Sequence, residues 1–245
     1  MRRRLALQGF GADRAFRWRG GEISRLEGLS DAVFAFAVTL LVVSLEVPKT
    51  FDELLLVLRG FFAFAVCFAI LFWVWYDHYR FFRRYGLEDG FTTTLTGLLL
   101  FIVLFYVYPM KFLFSTLFDQ LFGVALANAI EPRQVPLLML VYGAGFIAVQ
   151  LVFILLYVHA YQLADSLELD TYERLTTRSE LQGFAINVAI GLASITIVLV
   201  GGPDAAFWSG MTYMLIMPLQ IVNGRVMGAR IRRAATTSAG EPSAT

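Results

Sequence analysis

One apolar run near the start of the chain carries side chains that could handle charge. From Arg25 it reads Arg-Leu-Glu-Gly-Leu-Ser-Asp-Ala-Val-Phe-Ala-Phe-Ala-Val-Thr-Leu-Leu. Ser30 and Asp31 stand where the run turns apolar, and Thr39 lies further along it. Ionisable groups are costly in hydrocarbon, so each one is a candidate for contact with ions or protons or for tying helices together. Two readings are open for Ser30 and Asp31. They can form a helix N-cap with an acidic first turn. Alternatively, Asp31 is a carboxylate that needs a partner, with Arg25 and His78, at the end of a second apolar run, as candidates. On a helical wheel at about 100° per residue, Phe36, Leu40, Val43, Thr39 and Ala32 form one stripe. Asp31 falls about 140° from Phe36, toward neighbouring helices of its own bundle. The stripe can be a face against lipid or other helices, with Thr39 bonded back to its own helix. It can also be the wall of an ion path.

The rest of the chain shows what must position these residues. Of 245 residues, 58% are hydrophobic, 15% aromatic and only 16% charged, and the mean hydropathy is +0.67. A soluble domain carries about 25% charge. This composition excludes a disordered chain, a basic nucleic-acid-coating domain and an ordinary cytosolic enzyme, and it points to a polytopic membrane protein. The net charge of +1 gives no overall field toward nucleic acid. The single cysteine, Cys67, lies in an apolar run and reads as a small buried side chain.

A membrane-crossing helix needs about 20 apolar residues, and six runs qualify: Leu29–Leu45, Leu54–Tyr76, Phe91–Phe112, Val135–Ala160, Phe184–Val200 and Ala205–Val222. They are continuous rather than alternating, so the expected fold is all-α, with six transmembrane helices per subunit. Sixteen of the 20 Lys and Arg residues fall on one side of this topology. Both termini are therefore expected on the cytoplasmic side of the cell membrane. The expected organisation is a basic N-terminal segment over 1–28, the membrane domain over 29–224 and a largely disordered cytoplasmic tail over 225–245. The outer link 114–136 contains Phe-Asp-Gln-Leu-Phe-Gly-Val-Ala-Leu-Ala-Asn-Ala-Ile, compatible with a short interfacial helix. The polar link 163–181 reads as a helical extension and turn.

Weaker features have structural readings. His159 ends the fourth run and reads as a hydrogen-bonded helix-end residue. Arg59 can snorkel to the outer surface, with Glu46 as a possible partner. Gly183, Asn187 and Gly191 recur every four residues, as expected for a packing face with one polar tie. Gly143, Gly145 and Gln150 read the same way. Pro109 and Pro218 are expected to kink or stop helices. No P-loop, GxGxxG, HExxH, GxSxG or TVGYG motif is present. No run carries paired carboxylates, a Ser/His pair or a multi-ligand metal site, which disfavours an enzyme.

At the first run the sequence resembles the transmembrane protein 175 family of lysosomal and prokaryotic potassium channels. The family pattern of Arg, Ser-Asp, Ala and Thr is met by Arg25, Ser30, Asp31, Ala35 and Thr39, with Leu29 where the family has Phe. His78 in Trp-Tyr-Asp-His-Tyr-Arg-Phe-Phe resembles the family's second-span histidine, and Leu-Phe-Tyr-Val-Tyr-Pro-Met-Lys-Phe resembles its third-span end. The resemblance implies a potassium-permeable channel: a homotetrameric bundle around a central pore lined by the first helix of each subunit. It places an apolar gate at Phe36, Leu40 and Val43 and cation preference at Thr39. It also implies a structural polar network of Arg25, Ser30, Asp31 and His78. It implies no cofactor or metal; monovalent cations, potassium among them, are the permeant species, and the lipid bilayer is the surroundings. The competing readings are a proton-coupled or other secondary transporter using Asp31 and His78, an intramembrane enzyme, and a membrane scaffold without transport.

Overall fold

The computed structural model describes residues 16–43, 49–122 and 131–239. All regular structure within them is helical. Five long helices carry the architecture: α1 Arg25–Val43, α2 Phe51–Tyr85, α3 Gly90–Phe122, α4 Val135–Gln162 and α5 Thr171–Gly201. After α5 the chain breaks into a 3-10 turn Pro203–Ala205, a short α6 Ala206–Met211, a second 3-10 turn Thr212–Leu215, and α7 Ile216–Ala239. Among the described residues, five helical stretches are long and apolar enough to cross a membrane: Gly60–Tyr85, Gly90–Phe118, Val135–Gln162, Thr171–Gly201 and Pro203–Ile231. The chain is thus an integral membrane protein of several apolar helices. Helix α1, with 19 residues, carries Arg25, Glu27 and Asp31 in its first two turns, and its rise of about 1.5 Å per residue gives about 28 Å.

The helix starts follow local sequence. Ser24 and Glu27 form a reciprocal cap: the Glu27 amide donates to Ser24 Oγ at 3.1 Å, and the Ser24 amide donates to Glu27 Oε1 at 3.1 Å. Asp170 and Glu173 do the same for α5. Asp89 accepts from the Phe91 and Thr92 amides at the head of α3. Pro109 neither stops nor ends α3, which runs through it to Phe122. The Pro109 carbonyl accepts a hydrogen bond from the Tyr142 hydroxyl, which ties α3 to α4. Pro218 sits in the first turn of α7, where a missing N–H has no intrahelical partner to lose. Helix α7 continues past residue 224 to Ala239. The segment expected as a tail is therefore helical over most of its length, as its Ala and Arg content favours. Residues 1–15, Glu46 and most of the expected interfacial helix lie outside the described residues, as does the Arg59 side chain.

The core lies where α1, α2, α3 and α4 meet, with Phe34, Ala37, Leu41, Cys67, Leu71, Leu99, Val103 and Phe153 buried together. Helix α5 packs on α4 and α7 through small residues. A Cβ on Gly191 would stand 2.7 Å from Ile147 Cγ1, and one on Gly143 2.6 Å from Ile195 Cγ1. Beside them runs the expected polar tie: Asn187 donates to Gln150 Oε1 at 3.0 Å, and Gln220 donates to Asn187 Oδ1 at 3.0 Å. Outward faces of α2 and α3 present Phe61, Phe62, Phe72, Trp73, Phe101 and Phe105, as suits contact with lipid tails.

Candidate functional site

Helix α1 divides cleanly into two faces. Ser30, Phe34, Ala37 and Leu41 are buried against α2 and α3. Leu29, Ala32, Ala35, Phe36, Thr39 and Val42 are exposed, with Phe36 at 55% of its surface. Phe36, Thr39 and Ala32 thus share one open face, as the wheel predicts. Leu40 sits at its edge, half-buried against the core. Val43 is the last residue of α1; its side chain is not among those described. The Thr39 hydroxyl donates to the Ala35 carbonyl at 2.9 Å. With its proton committed there, its oxygen lone pairs remain free to accept from water or to coordinate a cation.

Ser30 is an interior residue of α1, because Ser24 holds the cap; the N-cap reading of Ser30 is corrected. The fully buried Ser30 hydroxyl donates to Leu26 O at 2.8 Å and lies 3.5 Å from His78 Nε2 on α2. The His78 ring is itself buried between Phe34 and Phe82, at centroid distances of 6.1 and 4.6 Å. Asp31 turns away from this pair. It stays exposed and accepts from Trp75 Nε1 at 2.7 Å. Arg25 is exposed and makes no ion pair among the described residues. The structure therefore joins Ser30 with His78 and Asp31 with Trp75, and it keeps Arg25 apart from both.

Other charges hold the foot of α1. Arg83 on α2 forms a buried ion pair with Glu27 and donates to the carbonyls of Gly20 and Gly21. Arg80 and Arg84 both reach Glu180 on α5. The Ser-x-x-Glu spacing could have revealed the Ser24 cap. Pairs such as Arg83 with Glu27 link positions 56 residues apart, and no local pattern marks them. Among the described residues, no three His, Cys, Asp or Glu side chains group as metal ligands.

Residues 25–106, which include every position singled out on α1 and α2, match the profile of the endosomal/lysosomal potassium channel TMEM175. A Marivirga tractuosa protein named as a potassium channel is 38% identical over 229 residues, covering 89% of this chain and 93% of the relative. The chain belongs to the TMEM175 family. A second relative, from Chamaesiphon minutus and also named as a potassium channel, is 31% identical over 147 residues, covering 57% of this chain and 66% of its own. The crystal structure of a variant of the potassium channel MtTMEM175, in complex with a Nanobody-MBP fusion protein, superposes with a TM-score of 0.77 at 38% identity. That match covers 88% of this chain and 97% of the other. The lysosomal potassium-selective channel TMEM175 homolog from Chamaesiphon minutus shares the fold, with a TM-score of 0.57 at 24% identity over 81% of this chain and 96% of the other. These TMEM175 relatives are channels rather than enzymes.

Proposed function

We propose that the chain is one subunit of a potassium-permeable cation channel in the cell membrane. Six helices cross the bilayer, α1 being the first, with both termini cytoplasmic. Four copies gather with their α1 helices around a shared axis. One pore helix cannot enclose a path, so several copies are required. The observation that carries this reading is the open face of α1. Faces of α2 and α3 that suit lipid are studded with Phe and Trp, whereas α1 exposes Ala32, Ala35 and Thr39 among Leu29, Phe36 and Val42. Small residues let helices approach closely, and they leave room for a narrow path.

In this arrangement Phe36, with Leu40 and Val43, forms an apolar constriction. A ring narrow enough to exclude water raises the barrier for a hydrated cation. Thr39, with free oxygen lone pairs, supplies a cation-accepting layer beside it. Ser30 with His78, and Asp31 with Trp75, fix the rotation of α1 against α2, and Arg25 stands at the inner mouth. Phe36→Asn tests the gate. Lowering the wetting barrier by about 1.4 kcal/mol raises the rate about tenfold, so potassium flux into liposomes should rise by at least that factor. Unchanged flux in a correctly assembled variant refutes the gate. Unitary current steps in planar bilayers separate this reading from a carrier built on Asp31 and His78, which gives saturating flux without steps.

A further inference from the structure

Immediately before α1 lies a strap, residues 16–24, laid across the ends of α2 and α5. Its backbone amides at Arg19 and Gly20 donate to the Arg83 carbonyl at 3.1 and 3.2 Å. At Gly20 the approach is so close that a Cβ would sit 2.4 Å from Phe82 O. Phe16 anchors the strap, buried edge-on against Tyr85 at 5.7 Å.

Arg19 is the centre of the arrangement. Its Nε donates to Leu167 O at 2.8 Å, and its Nη1 to Arg17 O at 3.0 Å and Glu173 Oε1 at 3.1 Å. Its Nη2 donates to Glu168 O at 3.2 Å and Glu173 Oε2 at 2.6 Å. All five guanidinium N–H groups are thereby matched, from a side chain 11% exposed to a carboxylate 2% exposed. Glu173 Oε1 also takes the Arg17 amide at 2.8 Å, while Oε2 takes the Asp170 amide at 3.2 Å at the head of α5. Glu168 holds a φ of 49° without being glycine. Such backbone strain persists where the surroundings fix it, and here it aims a carbonyl at Arg19.

We propose that Arg19 and Glu173 are positioning residues for the gate: they latch the strap to the head of α5 and thereby hold α1 in its resting place. This rests on the reading of α1 as the pore wall. The strap leads directly into the Ser24 cap, and Arg83 grips both the strap carbonyls and Glu27 of α1. The strap and the foot of α1 are therefore held by one and the same guanidinium. Freeing the strap frees the foot of α1 and populates conformations in which the Phe36 ring is dilated.

The test uses the full chain, reconstituted, with Arg19→Lys and Glu173→Gln as variants that keep bulk and folding. Release of the strap is read by trypsin, as fragments that begin at Trp18 or Gly20. Resting potassium flux per assembled protein should rise within the range of about five- to 150-fold typical of coupled sites, less for Arg19→Lys than for Glu173→Gln. In a Phe36→Asn background neither variant should raise flux further, since the gate on which they act is already open; a merely structural role has no such dependence. Strap release with unchanged or reduced flux overturns the proposal, as does a strap that stays protected in both variants. Phe36→Asn alone keeps the two readings distinguishable. If it raises flux while the strap variants do not, the pore reading stands and the latch fails.

Discussion

Asp89 shows how much one side chain can gather at the junction of three elements. It sits between α2 and α3. Its Oδ1 accepts from the Phe91 amide at 2.9 Å and the Thr92 amide at 3.1 Å. Its Oδ2 accepts from Thr92 Oγ1 at 3.0 Å and meets His159 Nε2, at the end of α4, at 2.9 Å. Partial burial by itself would raise the carboxyl's pKa. The His159 ring and the Thr92 hydrogen bonds outweigh that effect and bring it from 3.8 down to about 2. A depressed folded-state value means that the ionised form stabilises the fold. That contribution is whole above the unfolded value of 3.8 and fades as pH falls toward about 2. Asp89→Asn keeps a capping side chain but loses the charge. Its unfolding midpoint in detergent should lie below that of the parent at pH 7, and the gap should close between pH 4 and pH 2. A gap that does not change with pH means the carboxylate's charge contributes nothing. His159 was legible as a helix-end hydrogen-bonding residue, whereas its partner, 70 positions away, was not.

At the scale of elements, glycines decide how close the helices come. On α4 a Cβ added at Gly145 would stand 2.3 Å from the Tyr106 ring of α3. That ring is held in turn by its hydroxyl, which donates to Tyr142 O at 3.0 Å. The ring edge cannot swing aside without giving up that bond. Gly145→Ala should therefore cost about 1–3 kcal/mol, the usual penalty for overpacking. Gly97, inside α3 about two turns from its start, has open space where a Cβ would go. Gly97→Ala should be neutral or gain up to about 1 kcal/mol of helix propensity. Thermal unfolding of both in the same detergent gives the comparison, and equal effects would show that packing at Tyr106 is not the cause. The spans themselves were legible because hydrophobic continuity is a local signal, as was the glycine and asparagine face of α5. Less was legible at the ends. The helices outrun their apolar runs because capping side chains such as Ser24 and Asp170 set their starts. Pro109 passes through α3, and the last span is broken into α6 and α7, a break that no periodicity records. On α1 the wheel turned Asp31 toward its own bundle, whereas the carboxylate is exposed at the border of the open face, within reach of Trp75 on α2. The wheel could not choose Trp75 as the Asp31 partner, since that choice depends on how α2 lies against α1.

For the whole molecule the question is what covers the open face of α1. That face sets Ala32, Ala35 and Thr39 among Leu29, Phe36 and Val42, and small residues let another helix approach closely. If copies meet along that face, a residue one turn below Phe36 lies close to its counterpart in the neighbouring copy. Ala32→Cys in a Cys67→Ala background should then form disulfide-linked dimers in membranes under mild oxidation. Phe101→Cys, on the outer face of α3 where the native ring is 68% exposed, should not. Four copies of a 27.5 kDa chain give an assembly of about 110 kDa by native mass spectrometry. Linked dimers from Phe101→Cys with none from Ala32→Cys would place α3 rather than α1 at the interface. In that case the path for ions, and the roles of Phe36 and Thr39 with it, would have to be sought on another helix.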